Sequence, residues 1–306
     1  MAEDLILRSY GDVSIKEDVL GMVEILTATE DLIHNTLGKT SAIQTVHNVL
    51  TDTLDSVSSL ASNEAGAYTN KTLTTPARLT NLVQICAYPF EVSRTQQEIE
   101  HYHGDNELAR QTTKAMKNWM NSVEYDLVRG SLVSGASGTA PRMGGIIMSI
   151  SKAANTTAHT SGTVFSASIL TGLMKNQYDN TNGDVATDIY VGSYLRDQID
   201  SFTNKTNVVN TGLNIKEIVR VVDVVETGLG KVRVHVHRYV QVAADATARI
   251  LGINPEKLKV AYLKKPYVDA GLARTGDSDP RAIVGKMTLE TRNQDTNFFA
   301  TGFKKA

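Results

Sequence analysis

Apolar residues recur at helical spacing most clearly between Arg94 and Leu132. One side of this segment repeats at steps of three, four or seven residues and carries Ile99, Tyr102, Ala109, Thr113, Met116, Met120, Val123 and Leu127. The opposite side is largely polar and carries Glu107, Arg110, Gln111, Lys114, Lys117, Asn121 and Glu124. The pattern predicts one amphipathic helix of about 50 Å, bent near Gly104. Globular helices average about 11–12 residues, so this length is typical of an element that spans a whole molecule.

Strand-like patterns precede this helix. Residues 44–54 are rich in Thr and Val and partly alternate, and residues 78–93 form a second apolar run in which Pro89 marks an edge or a break. The segment between them is small and polar. The sequence therefore predicts an extended hairpin over residues 45–92. Because an isolated hairpin is only marginally stable in water, we expect it to pack on another surface.

The middle of the chain alternates between helical and strand patterns. We expect a helix around Phe165 to Tyr178, a strand at residues 188–192 and a helix at residues 193–203. A hairpin then joins residues 216–226 to residues 231–240. In its second strand, one predicted face carries Val232, Val234, Val236 and Val240, and the other carries Lys231, Arg233, His235 and His237.

The closing segment predicts one more strand after a turn at residues 275–280. Here Ile283, Gly285, Met287 and Leu289 alternate with Val284, Lys286, Thr288, Glu290 and Arg292. Such alternation favours a strand with one face towards solvent. Together with the N-terminal residues, which offer a short helix with Asp31 in its first turn and an end at Gly38, the elements predict an α+β chain.

Composition narrows the class of protein. The chain has 306 residues, 41% of them hydrophobic and 21% charged, which is typical of a folded globular protein. The formal charge of −2 argues against a protein that wraps nucleic acid by neutralising phosphates. Cys86 is the only cysteine, so no intrachain disulfide forms. The acidic N-terminus is no secretory signal and no run is long enough to span a membrane, so we expect no membrane contact and a cytoplasmic protein.

The sequence contains few candidates for a catalytic, phosphate-binding or metal site. The glycine-rich loop from Gly135 to Gly145 lacks the Gly-Lys-Ser/Thr ending of a phosphate loop and follows a helix, so a connecting loop is the better interpretation. His235 and His237 are two residues apart on one strand face, but no third metal ligand is apparent nearby. Cys86 lies within an apolar strand and is expected to be a small buried hydrophobe. We expect no enzyme activity, no cofactor and no metal.

Three stretches resemble the major capsid proteins of tailed double-stranded DNA bacteriophages, particularly the SU-ten-like group. These are residues 35–54 with the polar excursion that follows, residues 219–240, and residues 257–302, which give the most specific match. The resemblance covers most of the chain in the right order. It implies the Hong Kong ninety-seven-type capsid fold.

That fold divides the chain into five parts. The resemblance implies an N-terminal arm, an extended β-hairpin loop, a peripheral domain with a long spine helix, an α/β axial domain and a return strand of the peripheral domain. The corresponding boundaries are 1–44, 45–92, 93–150, 151–263 and 264–306.

The resemblance also implies a function and partners. The chain would assemble with itself as pentamers and hexamers into an icosahedral shell, in the cytoplasm of a bacterial host, and become part of the virion. The shell would enclose double-stranded DNA without sequence-specific contact. A separate scaffolding protein is expected because the chain starts directly at its arm, together with a portal and decoration proteins.

Contacts between subunits are expected from the extended loop and the return strand. The residues predicted to make them are Asn63, Glu64, Tyr68, Lys71, Arg78, Lys286, Glu290 and Arg292. Lys71 lies where some relatives carry a cross-linking lysine, but no motif fixes a partner for it.

Two other interpretations stay open at this point. An encapsulin-type compartment has the same fold but encloses a cargo enzyme, and it would require a peptide-binding groove on the inner wall. A soluble α/β enzyme would have His235 and His237 as its only candidate ligands.

Overall fold

A computed structural model describes most of the chain after the first thirty residues. The described ranges are 31–54, 57–64, 66, 73–101, 106–150, 155–181, 184–201, 207–211, 215–219, 224–274 and 276–305. The first thirty residues of the predicted arm therefore lie outside the described part, as do Tyr68 and Lys71.

Helices and strands alternate irregularly along the described ranges. The helices are α1 Leu32–Thr36, α2 Arg94–Glu98, α3 Glu107–Arg129, α4 Ile146–Ser149, α5 Ala167–Thr181 and α6 Ser193–Asp200. The strands are β1 Gly38–Ser41, β2 Val46–Thr51, β3 Ala77–Leu82, β4 Gln84–Ser93, β5 Thr156–Thr163, β6 Asp188–Val191, β7 Asn207–Thr211, β8 Ile215–Val219, β9 Val224–Thr227, β10 Gly230–Val236, β11 Ala248–Ile253, β12 Leu258–Asp269, β13 Ser278–Thr291 and β14 Phe298–Phe303.

The strands form two larger sheets and two hairpins. One sheet has the order β1-β12-β13-β4, and the other has the order β5-β14-β11-β6-β10-β9. The separate pairs are β2-β3 and β7-β8. The α+β class predicted from the sequence is confirmed, and Pro89 does lie on an edge strand, because β4 ends the four-stranded sheet.

The long helix α3 packs across the four-stranded sheet. Asn106 begins it by accepting a hydrogen bond from the Ala109 N–H at 2.9 Å. The buried side chains of α3 that are apolar are Ala115, Trp119, Val123, Leu127 and Val128. Trp119 also donates its Nε1–H to the Cys86 carbonyl at 3.0 Å, so the indole is satisfied although it is buried.

The prediction of one continuous helix from Arg94 to Leu132 is wrong. The segment contains two helices, because the chain leaves α2 at Ile99 with the extended angles φ −78° and ψ 135°. Ile99 is 51% exposed, so its side chain is not packed into the core and does not stabilise a helix at this position. The 23 residues of α3 give a length of about 35 Å, shorter than predicted.

The return strand β13 differs from the predicted strand with one face in solvent. It lies inside the four-stranded sheet between β12 and β4, with α3 on one face and the base of the β2-β3 hairpin on the other. Thr288 and Glu290 are therefore buried, with exposures of 0% and 6%. The two residues do alternate with apolar residues, but the β2-β3 hairpin, and not solvent, covers the polar face of β13.

Two of the predicted boundaries do not coincide with the sheets. The boundary at residue 263 falls within β12, which belongs to the four-stranded sheet on both sides of that residue, although its register with β13 shifts between Tyr262 and Tyr267. Within the predicted return segment 264–306, β14 belongs to the other sheet, where it pairs with β11 and β5. The apolar residues Phe298 and Phe303 place it there, because they pack into the core formed by α5, α6 and the six-stranded sheet.

The predicted arm is part of the fold from Asp31 onwards. Ile33 and Leu37 are buried in the core beside α3, and β1 extends the four-stranded sheet by pairing parallel to β12. The described residues of the predicted arm 1–44 thus pack into the core and the four-stranded sheet. None of the helices among the described residues is long and apolar enough to cross a membrane.

Candidate functional site

The Glu124 carboxylate joins three parts of the chain at one buried point. It lies on α3 and accepts hydrogen bonds from the backbone N–H groups of Ile33 at 2.6 Å and His34 at 2.9 Å, in α1. It also accepts from His237 Nε2 at 2.9 Å, just beyond β10. Both ionisable side chains are fully buried. Glu124 therefore caps α1 from another helix, since the N-cap residue Asp31 makes no side-chain cap of its own.

The orientation of the His237 ring follows from its second nitrogen. Nδ1 accepts from the Tyr239 backbone N–H at 3.3 Å, so the proton lies on Nε2 and is donated to Glu124. The sequence pattern had placed His237 with the polar residues of β10. In the structure β10 ends at Val236, which is 49% exposed, and His237 turns inwards.

The periodicity of α3 contained a signal for Glu124 that the sequence interpretation missed. Glu124 follows Met120 by four residues and precedes Leu127 by three, so it lies on the apolar side of the helix. A carboxylate at such a position is buried and needs partners. The partners themselves, ninety or more residues away along the chain, carry no sequence signal.

A second buried charge cluster fixes the C-terminal end of α3. Arg129 donates to the carbonyls of Tyr239 and Val240 at 2.6 and 3.2 Å and forms an ion pair with Asp245, which also pairs with Arg249 at 3.0 Å. Burial alone would raise the pKa of Asp245, but the hydrogen bonds from Arg129 and the Val242 N–H hold it below its ordinary value. The end of α3 is thus tied to the loop after β10.

Hydrogen bonds anchor the base of the β2-β3 hairpin to the rest of the chain. His47 lies 3.0 Å from the Glu290 carboxylate, to which Arg292 donates at 2.8 Å. Burial would raise the pKa of Glu290, but these two hydrogen bonds hold it below its ordinary value. Asn81 adds bonds to the carbonyls of Leu289 and Gly144 at 2.9 and 3.0 Å.

The hairpin tip, residues 52–76, has no comparable anchor in its described part. Its large apolar side chains are 84–103% exposed and are Leu54, Val57, Leu60 and Leu73. Of the residues predicted to contact other subunits, Asn63 and Glu64 lie exposed in this tip and Arg78 lies exposed in β3. Tyr68 and Lys71 lie outside the described residues.

The remaining predicted contact residues lie on β13 and just beyond it. Lys286 is half-buried and Arg292 is exposed, so both are accessible to a neighbouring molecule. Glu290 is 6% exposed and already holds His47 and Arg292 of its own chain. Its place in the structure corrects the expectation that its carboxylate is free to meet a neighbour.

The two histidines that resembled a metal pair are held apart. His235 lies 3.0 Å from Asp188 and stacks on Tyr190, whereas His237 bonds to Glu124. Across the described ranges, no group of three or more His, Cys, Asp or Glu residues is placed to hold a metal ion. Cys86 is buried, as predicted for a small hydrophobe, and burial raises the pKa of its thiol to about 12.

Comparison with known protein families matches residues 6–304, nearly the whole chain, to the SU10 major capsid protein. The chain belongs to this capsid protein family. It is a structural component of an icosahedral capsid shell, and so of a virus particle. The resemblance stated from the sequence is confirmed. No curated protein matches the sequence.

Solved capsid structures share the fold at low sequence identity. The capsid of a native GTA particle matches with a TM-score of 0.69 at 10% identity, covering 96% of this chain and 97% of that one. The capsid of Myoviridae phage XM1 matches with a TM-score of 0.63 at 12% identity, covering 98% and 100%. The SrpI encapsulin from Synechococcus elongatus matches with a TM-score of 0.61 at 10% identity, covering 99% and 98%. The chain thus has the Hong Kong ninety-seven-type capsid fold.

Proposed function

We propose that the chain assembles as pentamers and hexamers that close into a shell around double-stranded DNA, in the cytoplasm of a bacterial host. The observation that carries this proposal is the hairpin tip, whose Leu54, Val57 and Leu60 are 88–103% exposed in the single chain. Exposed apolar residues clustered on one extended element are typical of a surface that another molecule covers. In a capsid protein the covering molecule is a second copy.

The hairpin also needs this contact for its own order. Beyond the β2-β3 ladder, which ends at Thr51 and Ala77, the hydrogen bonds of Thr53, Ala61, Gly66 and Thr74 stay within the hairpin tip itself. A two-stranded ribbon in water is marginally stable at best. Packing against a neighbour would supply the burial that it lacks, so assembly and ordering of the tip would occur together.

The DNA inside the shell would be contained without being bound tightly. The formal charge of −2 gives the subunit no general affinity for phosphates. We therefore propose that DNA contact is not sequence-specific. The further proposed partners are a separate scaffolding protein, a portal and decoration proteins, and the return-strand residues Lys286 and Arg292 would contribute to contacts between subunits.

Electron microscopy of the purified protein tests this proposal. We expect hollow shells of uniform size from the wild-type chain. The double variant Leu54→Ser/Leu60→Ser should give a folded subunit, by circular dichroism, that forms no shells. Val164→Ser, which changes a residue that is 61% exposed outside the hairpin, is the matched control and should assemble normally.

Two results would overturn the proposal. Normal shells from the Leu54→Ser/Leu60→Ser chain would show that the hairpin tip does not carry assembly. Shells that enclose a protein cargo and exclude DNA in the host would favour the encapsulin-type compartment.

A further inference from the structure

We propose that an apolar groove beside α3 binds residues 19–26 of the same chain. This segment belongs to the predicted N-terminal arm and precedes the described part of the chain, which begins at Asp31. The inference goes beyond the proposed shell function, because it assigns an intramolecular contact within a single subunit. We call the receiving surface the α3 groove.

The α3 groove is a small apolar depression beside the long helix. It has a volume of about 180 Å³, and Asp31 and His34 form part of its lining. An apolar cavity of about 150 Å³ holds a molecule the size of benzene, so the groove has room for an aliphatic side chain. The apolar residues that line it are Met116, Trp119, Met120, Val123 and Pro266.

Two methionines in the α3 groove are only partly covered by the described chain. Met116 and Met120 are half-buried and pack against the core with part of their surface. Methionine side chains adapt to the shape of an occupant, and apolar surface gains free energy when it is removed from water. An occupant of the groove should therefore bring apolar side chains.

The α3 groove is bordered by positive charge. Lys117 lies three residues before Met120 and three residues after Lys114. Residues three apart are neighbours on a helix surface, so Lys117 borders the methionines and Lys114 continues the row. Among the described residues, neither lysine has a carboxylate partner. An occupant should therefore also carry carboxylates.

The segment before Asp31 has this combination of side chains. Its large apolar residues are Val19, Leu20, Met22, Val23, Ile25 and Leu26. Its acids are Glu17, Asp18, Glu24 and Glu30, and residues 17–30 contain no lysine, arginine or histidine. An apolar and acidic segment thus matches an apolar groove bordered by lysines, and such complementarity fixes the register between two surfaces.

The covalent connection at Asp31 favours the same chain as the occupant. Asp31 itself lines the groove, and Leu26 is five residues before it. Five residues of extended chain reach about 17 Å, which is enough to lay the segment along the groove. A short tether gives a local concentration on the order of millimolar, so this segment has an advantage over the same segment of another molecule.

Trp119 reports directly on the α3 groove, because it lines the groove and is the only tryptophan of the chain. In the full-length chain, Ile25→Ser/Leu26→Ser should shift its emission to longer wavelength and increase its quenching by acrylamide, since water would enter the groove. Leu5→Ser/Ile6→Ser removes the same two side-chain types outside residues 19–26. It is the matched control and should leave both signals unchanged.

Charge reversal tests the role of the lysines. Lys117→Glu should increase the quenching of Trp119, because it places a carboxylate beside an acidic segment. Adding Glu24→Lys to the Lys117→Glu chain should return the quenching towards the wild-type value. Lys175→Glu, an exposed charge reversal on α5, is the matched control and should leave the quenching unchanged.

Disulfide trapping shows which molecule supplies the segment. After mild oxidation, the Ile25→Cys/Met116→Cys chain should run as a monomer of increased mobility on a denaturing gel and revert on reduction. The Ile25→Cys/Lys175→Cys chain should give no such band. The native Cys86 does not compete, because it is buried and the pKa of its thiol is raised to about 12.

The outcomes separate this inference from the shell function. Unchanged Trp119 signals in the Ile25→Ser/Leu26→Ser chain, no recovery on adding Glu24→Lys, or no cross-link from Ile25→Cys/Met116→Cys would each overturn it. Covalent dimers from Ile25→Cys/Met116→Cys would show that a second copy fills the groove, which would overturn the intramolecular contact. None of these readouts requires a shell, whereas absence of shells from the wild-type chain would overturn the proposed function alone.

Discussion

Glu124 and His237 share a hydrogen bond of 2.9 Å although they are 113 residues apart and neither is exposed to solvent. The same carboxylate holds the backbone of α1, so one side chain connects the long helix, the first described helix and the end of β10. A buried carboxylate is stable only while its partners are in place. The relative position of these three elements therefore depends on one residue.

Replacing Glu124 by Gln should destabilise the subunit by about 2 kcal/mol or more. The amide has one acceptor oxygen where three donors converge, and its NH₂ group would face one of them. Chemical denaturation measures the loss, and amide exchange of α1 should rise with it. Glu98→Gln, an exposed change on α2, is the matched control. Unchanged protection of Ile33 and His34 in the Glu124→Gln chain would contradict the assigned role.

His237 offers a finer test of the same contact. His237→Gln keeps a donor near the Nε2 position and should retain most of the stability, whereas His237→Leu removes the donor and should cost about 2 kcal/mol. The comparison separates the hydrogen bond from simple packing, since both replacements fill a similar volume. Equal stability of the two variants would indicate that packing alone matters at this position.

The stability of the subunit should fall as the pH drops below about 6.5 because of His34. Burial, and then the positive charge of Lys39, lowers the pKa of His34 from 6.5. The unfolded chain consequently binds more protons than the folded one between the folded pKa and 6.5, so this contribution is complete above 6.5 and is lost below it. Denaturation midpoints of wild type and His34→Gln from about pH 8 to about pH 5 measure the difference. Parallel pH profiles of the two chains would rule out His34 as the source.

The Cys86 thiol should be inert in the folded subunit. Burial, with a smaller contribution from Asp126, raises its pKa to about 12, and the reactive thiolate is therefore almost absent at neutral pH. Labelling with a thiol reagent should follow the rate of unfolding and become fast in denaturant. Rapid stoichiometric labelling of the native subunit would show that Cys86 is accessible.

Close packing of α3 on the four-stranded sheet should make Gly285 intolerant of a side chain. A Cβ atom there would lie 2.8 Å from the Trp119 ring. Gly285→Ala should destabilise the subunit by about 1–3 kcal/mol, and less in a Trp119→Phe background, where the ring is smaller. Gly172→Ala is the control, since a Cβ at Gly172 in α5 meets nothing within 4 Å. Additive effects of Gly285→Ala and Trp119→Phe would contradict this contact.

Local sequence patterns predict the helices and strands of this fold well, but they do not predict what packs against each of them. The alternation in β13 correctly predicts a strand, but the hairpin that covers its polar face, in part through His47, lies more than two hundred residues earlier in the chain. Similarly, the spacing of Glu124 marks a buried position without naming Ile33 or His237 as its partners. Periodicity shows which face of a helix or strand is apolar and which is polar. It does not show which distant segment of the chain packs against either face.

The family could be recognised from the sequence because the order of its elements is long and specific. The candidate contacts between subunits could not be derived in the same way. Their energetics depend on which charges remain unpaired after folding. Glu290 and Lys286 both occupy polar positions of the β13 pattern, yet among the described residues only Glu290 of the two forms ion pairs within its own chain.

The exposed leucines of the hairpin tip have a consequence for how the protein responds to dilution. In the proposed shell, a neighbouring copy would supply part of the surface that orders the tip, so the stability of the hairpin should rise with protein concentration. A dilute subunit and a subunit within a shell should therefore melt at different temperatures although their covalent structure is identical. Once a shell is closed, its dissolution should be slower than its assembly, because each subunit has to withdraw its own tip from a neighbour before it can leave the shell.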